Sequence, residues 1–210
     1  MINLTNNQKI YIACLVVGVA LLIVGTCFFI YKKIYTKKRY HETIYLKLDK
    51  MARLNDYLLL NNYRVEFDDT HFGVIDHILI SHKYIFVIND FDLSGVVSGD
   101  LKDQFLRVVN NENEAVNISN PLNYNINLIK RINMYHRLDQ SLIKGLVVIQ
   151  NNSEIRIGGN SSQFMMIRQK DLKRVIAKYE KDDVKPLKEG DVVNFINKLN
   201  KENEKKWNHQ

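Results

Sequence analysis

Asp76 stands in the apolar run Val74–Ile80, and the next apolar run, Tyr84–Ile88, leads directly into Asn89-Asp90-Phe91-Asp92. Carboxylates that converge from neighbouring strands can hold a divalent cation and activate water for hydrolysis. Convergence depends on strand parity. The two runs are rich in Ile and Val and are separated by Ser81-His82-Lys83, which predicts a β-hairpin. A turn centred on His82 and Lys83 sets Ile80 opposite Ile85, Ile78 opposite Val87 and Asp76 opposite Asn89. The strand period of two then gathers Asp76, Ile78 and Ile80 on one sheet face with Ile85, Val87, Asn89 and Phe91. Asp90 and Asp92 point to the other face, and a β-bulge is needed to turn either one back. His77 is expected on the face away from Asp76, so the two cannot act as a catalytic pair. A core or interface role suits it better.

Other constellations are weaker. Ile157-Gly158-Gly159-Asn160-Ser161 lacks the Lys of a phosphate-binding loop and reads as a hairpin turn. The six His show no zinc spacing. Cys14 and Cys27 lie 13 positions apart in one apolar segment and face different directions on a helix, which excludes a disulfide between them.

The elements that carry these residues are legible as a series. Ile44, Leu48, Met51, Leu54 and Leu58 recur at helical spacing, which predicts a helix over 40–60 ended by Asn61-Asn62. A strand at Tyr63–Phe67 precedes the hairpin. Short strands follow at Val96-Val97, Phe105–Val109 and Ala115–Ile118. Asn120-Pro121 opens a helix, with Asn as cap and Pro in the first turn. Residues 143–149 read as a buried strand, with further strands near 155–157 and 164–167. Two helices close the chain near 171–181 and 191–203, with Asp191 as cap of the last. The order predicts an α/β (α+β) domain with a mixed sheet flanked by helices.

Residues 10–31 carry no charge over 22 positions, enough for a transmembrane helix. The formal net charge is +7, of which residues 1–39 hold +6, from Lys9, Lys32, Lys33, Lys37, Lys38 and Arg39 with no acid. The remaining 171 residues carry a net +1, so a broadly basic nucleic-acid-binding domain is not indicated. Five basic residues directly follow the span. The positive-inside rule predicts a single-pass cell-membrane protein with its C-terminal domain in the cytoplasm. The same residues, Lys32, Lys33, Lys37, Lys38 and Arg39, are candidates for contact with anionic lipid. The expected organisation is 1–9 outside, 10–31 spanning, 32–39 a basic juxtamembrane segment, 40–180 one domain, and 181–210 a C-terminal helix and tail.

The chain resembles the nuclease-related domain (NERD) family, a branch of the restriction-endonuclease-like PD-(D/E)xK superfamily. The resemblance rests on Glu42, Ile75–Ile80, Phe86-Val87-Ile88 through Ser94-Gly95, Asn120-Pro121-Leu122, and the strand at 146–149. It implies a restriction-endonuclease-like mixed sheet. It also implies a site in which an Asp, a Glu and a nearby Lys bind Mg²⁺ or Mn²⁺ and cleave DNA or RNA. Glu42 and Asp76 match that pattern, and are the metal ligands if the site is active. The Glu position is Asn89 and the Lys position is Phe91, and the family's Gln three residues after Asn-Pro is Tyr124. The expectation is a degenerate site with no cofactor and a binding or scaffolding role at the membrane. One alternative is an active nuclease that uses Glu42, Asp76 and a re-aimed Asp90 or Asp92. Another is a structural membrane module unrelated to nucleic acid.

Overall fold

A computed structural model describes residues 6–68, 71–110, 112–136, 139–159 and 161–207. The side chains of 6–14, 16, 29, 30, 32–38, 135, 136 and 200–207 lie outside that description. The chain divides into two compact units, Met1–Glu42 and Thr43–Gln210.

The first unit is helical, part of α1 (Asn6–Asn55). Its side chains Leu15, Leu21, Leu22, Ile23, Val24 and Phe28 are exposed. Among the described residues, no helix is long and apolar enough to cross a membrane. The span expected over 10–31 is therefore not found as such, and its residues 10–14, 16, 29 and 30 fall outside the described side chains. So do Lys32, Lys33, Lys37 and Lys38, while Arg39 is exposed.

In the second unit, α1 buries Ile44, Leu48, Met51 and Ala52. The helix stops at Asn55, earlier than expected. Asp56 takes a left-handed conformation (φ +56°), and the Tyr57 N–H closes on the Ala52 carbonyl at 3.0 Å. Leu58 was expected on the helical stripe. It opens β1 (Leu58–Glu66) instead, because Leu58, Leu59 and Leu60 pair with Ile80, Leu79 and Ile78. A leucine run with helical spacing also serves as a strand when a partner strand is present.

Two mixed sheets form, where one was expected. The first has the order β1-β2-β3-β7-β9, with β2 Phe72–Ile80, β3 Ile85–Asp90, β7 Ile143–Ile149 and β9 Phe164–Arg168. β1, β2 and β3 are antiparallel, whereas β3, β7 and β9 run parallel. The second has the order β6-β5-β4-β8, with β4 Val96–Asp100, β5 Phe105–Val109, β6 Ala115–Ser119 and β8 Glu154–Gly158. Gly95 turns the chain from one sheet to the other at φ +97°. A Cβ there would sit 2.1 Å from the Val109 carbonyl oxygen, so only glycine fits.

Helix α2 (Pro121–His136) starts as its sequence predicts: Asn120 Oδ1 accepts the Leu122 N–H at 3.0 Å. Every residue of β3 and β7 is buried, as suits the centre of a sheet covered on both faces. On one face Ile78, Ile80, Ile85, Val87 and Ile143 pack with Leu128, Ile129 and Ile132 of α2. Phe195 and Leu199 of α4 (Glu189–Trp207) join them. On the other face Phe86 meets Tyr179 of α3 (Leu172–Tyr179), ring centroids 5.8 Å apart. A second core joins the sheets: Val97, Leu106 and Ile157 pack on Leu122, Val147, Ile149 and Met166. α4 begins at Glu189, so Asp191 lies inside its first turn rather than capping it.

Candidate functional site

The hairpin pairs in the expected register: Ile80 with Ile85, Leu79 with Phe86, Ile78 with Val87 and His77 with Ile88. The ladder stops there, one residue short of Asp76. Gly73 faces α2, since a Cβ on it would lie 2.6 Å from Leu128 Cδ2 and 3.2 Å from Tyr124 Oη. His77, four residues on, should share that face by simple alternation. It does not. Its ring stacks on Tyr45 of α1 at 6.5 Å, its Nδ1 lies 2.6 Å from Asn61 Oδ1, and Ile78 beside it packs with α2. The alternation of β2 therefore slips by one residue around Asp76. Opposite the slip, Asn62 of β1 has φ +54° and the ladder skips from the Asn61–His77 pair to Tyr63–Ile75. The register is the same on both sides, so one residue on each strand, Asn62 and Asp76, is left out of the ladder. The irregularity lies in β1 and β2, whereas the sequence pointed to a bulge in β3.

The slip changes what Asp76 meets. Its Oδ2 accepts the Asp90 main-chain N–H at 2.9 Å and the Asn89 Nδ2 at 3.1 Å. Asp90 is itself buried beside it. The Asp76 carboxyl is pushed up to about 6. Burial is the main cause, followed by the hydrogen bond and the charge of Asp90; the Asp90 N–H and the Asn89 amide pull the other way.

Asn89 is locked. Its Nδ2 also donates to the Val74 carbonyl at 2.9 Å, and its Oδ1 accepts Asn125 Nδ2 at 3.0 Å. Asn125 in turn donates to the Val87 carbonyl at 3.1 Å. Main-chain carbonyls can only accept, so each amide must present its nitrogen to them. Asn89 therefore points its NH₂ at Asp76 and its oxygen at α2. Asn125 is 1% exposed, and a Cβ at Gly145 would come within 2.2 Å of its Oδ1. Gly145 leaves the room that α2 needs to bring Asn125 in.

Phe91 packs edge-on against Tyr124 at 6.3 Å and 88°, half-buried beside the second core. Tyr124 Oη bonds both the N–H (2.9 Å) and the carbonyl (3.2 Å) of Val74. Asp92 is exposed and accepts a hydrogen bond from Gln150. Glu42 is exposed on α1, in the first unit. Among the described residues no three His, Cys, Asp or Glu side chains gather as a metal site would require. The structure thus brings Asp76, Asn89 and Asp90 together and ties Asp92 elsewhere. Sequence reasoning missed Asn125. Its signal was a polar residue three positions after Leu122 and three before Leu128, inside the apolar stripe of α2.

This arrangement suits a proton better than a cation. A divalent ion needs carboxylate or carbonyl oxygens turned toward it. Here the Asn89 NH₂ donates to Asp76 Oδ2, and Phe91 packs edge-on against Tyr124. Asn89 and Phe91, the residues expected at the Glu and Lys positions, do not fit a Mg²⁺ site.

No curated protein and no solved structure matches the chain. The family model of the nuclease-related domain matches residues 37–150, which takes in the β2–β3 hairpin, α2 and β7. β8, β9, α3 and α4 follow the matched residues. With more than half of its 210 residues matched, the chain belongs to the nuclease-related domain (NERD) family.

Proposed function

We propose that this NERD protein is anchored in the cell membrane by residues 10–31, and that its nuclease-related site no longer cleaves nucleic acid. It keeps a binding or scaffolding role at the cytoplasmic face. The observation that carries the loss of activity is the Asn89 NH₂ donated to Asp76, with Phe91 edge-on against Tyr124 where the family's Lys would stand. A mixed sheet and a family membership give the scaffold, but activity belongs to the site. The test is incubation of the full chain with single- and double-stranded DNA and RNA in Mg²⁺ or Mn²⁺. No cleavage is expected. Cleavage that disappears in Asp76→Ala overturns this reading.

Support for the anchor is the uncharged stretch of 22 residues, the exposed Leu21, Leu22, Ile23, Val24 and Phe28, and the basic residues that follow. Lys32, Lys33, Lys37, Lys38 and Arg39 also suit contact with anionic lipid. The chain is expected to stay with membranes through an alkaline carbonate wash, and release by that wash contradicts the anchor. Access of added protease to residues 43–210 only from the cytoplasmic side tests the orientation.

A second reading has one observation in its favour, the Asp90 main-chain N–H on Asp76 Oδ2, which sets these two acids side by side. Neighbouring acids can hold Mg²⁺ or Mn²⁺, and the protein would then be a nuclease with Glu42 as a further ligand. Asp90, rather than Asp92, is the acid to test. Absence of both cleavage and salt-sensitive nucleic-acid binding instead favours a structural module unrelated to nucleic acid.

A further inference from the structure

A cavity of about 420 Å³ opens at the start of β3 and just before β7, the opposite end of those strands from Asn89. That size falls within the range of roughly 300–1,000 Å³ typical of small-molecule sites. Its wall is apolar: Ile85 and Phe195 are buried, and Leu142, Val184 and Leu187 are half-buried. Its rim is cationic. Lys185, Lys188 and Lys198 line it and are exposed, and none of the three makes an ion pair among the described residues.

Two acids share the rim. Asp139 already accepts the Ser141 N–H at 2.9 Å, and Asp191 lies in the first turn of α4, where the helix dipole favours a negative charge. Three ammonium groups and two carboxylates thus stand over an apolar wall, a net charge of +1. The segment that forms the mouth is tied down by the Leu187 N–H on the His82 carbonyl at 2.7 Å.

We infer that this cavity binds a single-chain amphiphilic anion, with an alkyl chain against Ile85, Leu142, Val184 and Phe195 and a carboxylate among Lys185, Lys188 and Lys198. A free carboxylate with one chain is favoured over a phospholipid, because a cavity of about 420 Å³ is too small for two full-length acyl chains. The site is separate from the Asp76 site, and neither depends on the other.

The test uses the full chain in nanodiscs of zwitterionic phosphatidylcholine with sodium octanoate as probe. Lysine acylation is read residue by residue by mass spectrometry. Octanoate is expected to protect Lys185, Lys188 and Lys198 but not the exposed Lys50 and Lys102. Hexanoate should need about tenfold more for the same protection, because each methylene removed loses about 0.8 kcal/mol of burial. The exposed pair of substitutions Lys185→Glu and Lys188→Glu should abolish protection of Lys198 while leaving the fold intact. Equal protection by acetate would mean plain charge attraction, and equal protection by octanol an apolar cleft blind to charge. Either overturns the inference, as do no protection and protection that survives in the double variant. Protection by phosphatidylglycerol nanodiscs without octanoate overturns it in favour of a lipid headgroup.

Discussion

At its turn end the β2–β3 hairpin is regular. Ile80 pairs with Ile85 and Ile78 with Val87, and all four are under 5% exposed. At its open end the ladder has ended, and Asp76 is held by an amide and a main-chain N–H instead. The turn end is fixed by burial, which punishes a slip of one residue by exposing a whole apolar face. Past His77 the β2–β3 pairing has ended, and hydrogen bonds on Asp76 join burial in setting the geometry. The two ends should therefore respond differently to substitution and to pH.

The largest effect belongs to the turn end. Ile78→Ala should cost about 2–5 kcal/mol in denaturant unfolding of the full chain, since Ile78 is fully buried between β1, β3 and α2. The loss should be the same at pH 5 and pH 8. At the open end, Asn125→Ala leaves Asn89 Oδ1 buried without its donor and should cost about 1–3 kcal/mol. An unchanged midpoint for Asn125→Ala would show that the hydrogen-bond network does not hold the open end.

Asp76 should behave in the opposite sense. Its folded-state value of about 6 lies above the usual carboxylate range, so the folded chain holds this proton more tightly than the unfolded chain. Its contribution to stability is full below about pH 4 and is lost as the pH rises through about 6. Asp76→Asn removes the titration. Its stability relative to the parent chain should rise by about 1–3 kcal/mol between pH 4 and pH 7.5. A constant difference across that range would show that Asp76 is not strained by burial and by Asp90. The smallest effect is Tyr124→Phe, which deletes the hydroxyl on Val74 and keeps the ring against Phe91. It should lower the thermal midpoint by the equivalent of about 1 kcal/mol.

Much of the fold was legible because apolar alternation encodes register. The hairpin pairing, the Asn-Pro start of α2 and the buried strand at 143–149 all follow from local patterns. The end of α1 was not, because Leu58–Leu60 satisfies helical spacing and only its pairing with β2 makes it a strand. The division into two sheets was hidden as well, since it turns on the backbone of Gly95. At the site, the sequence placed Asn89 beside Asp76. It did not show that Phe91 and Tyr124 meet as one aromatic pair. Nor did it place Asp76 against Asp90, since that depends on a slip beside Asn62, an exposed residue in a chain where Asn is common. Asn125 was masked by the same abundance of Asn.

The two readings differ in whether Asp76 and Asp90 hold a divalent cation. Calorimetric titration of the full chain with Mn²⁺ at pH 7.5 answers it. The expected outcome is no saturable binding tighter than about 1 mM, because the Asn89 amide faces Asp76 and no third acid joins the pair among the described residues. A one-to-one site in the micromolar range that is lost in both Asp76→Asn and Asp90→Asn would contradict it.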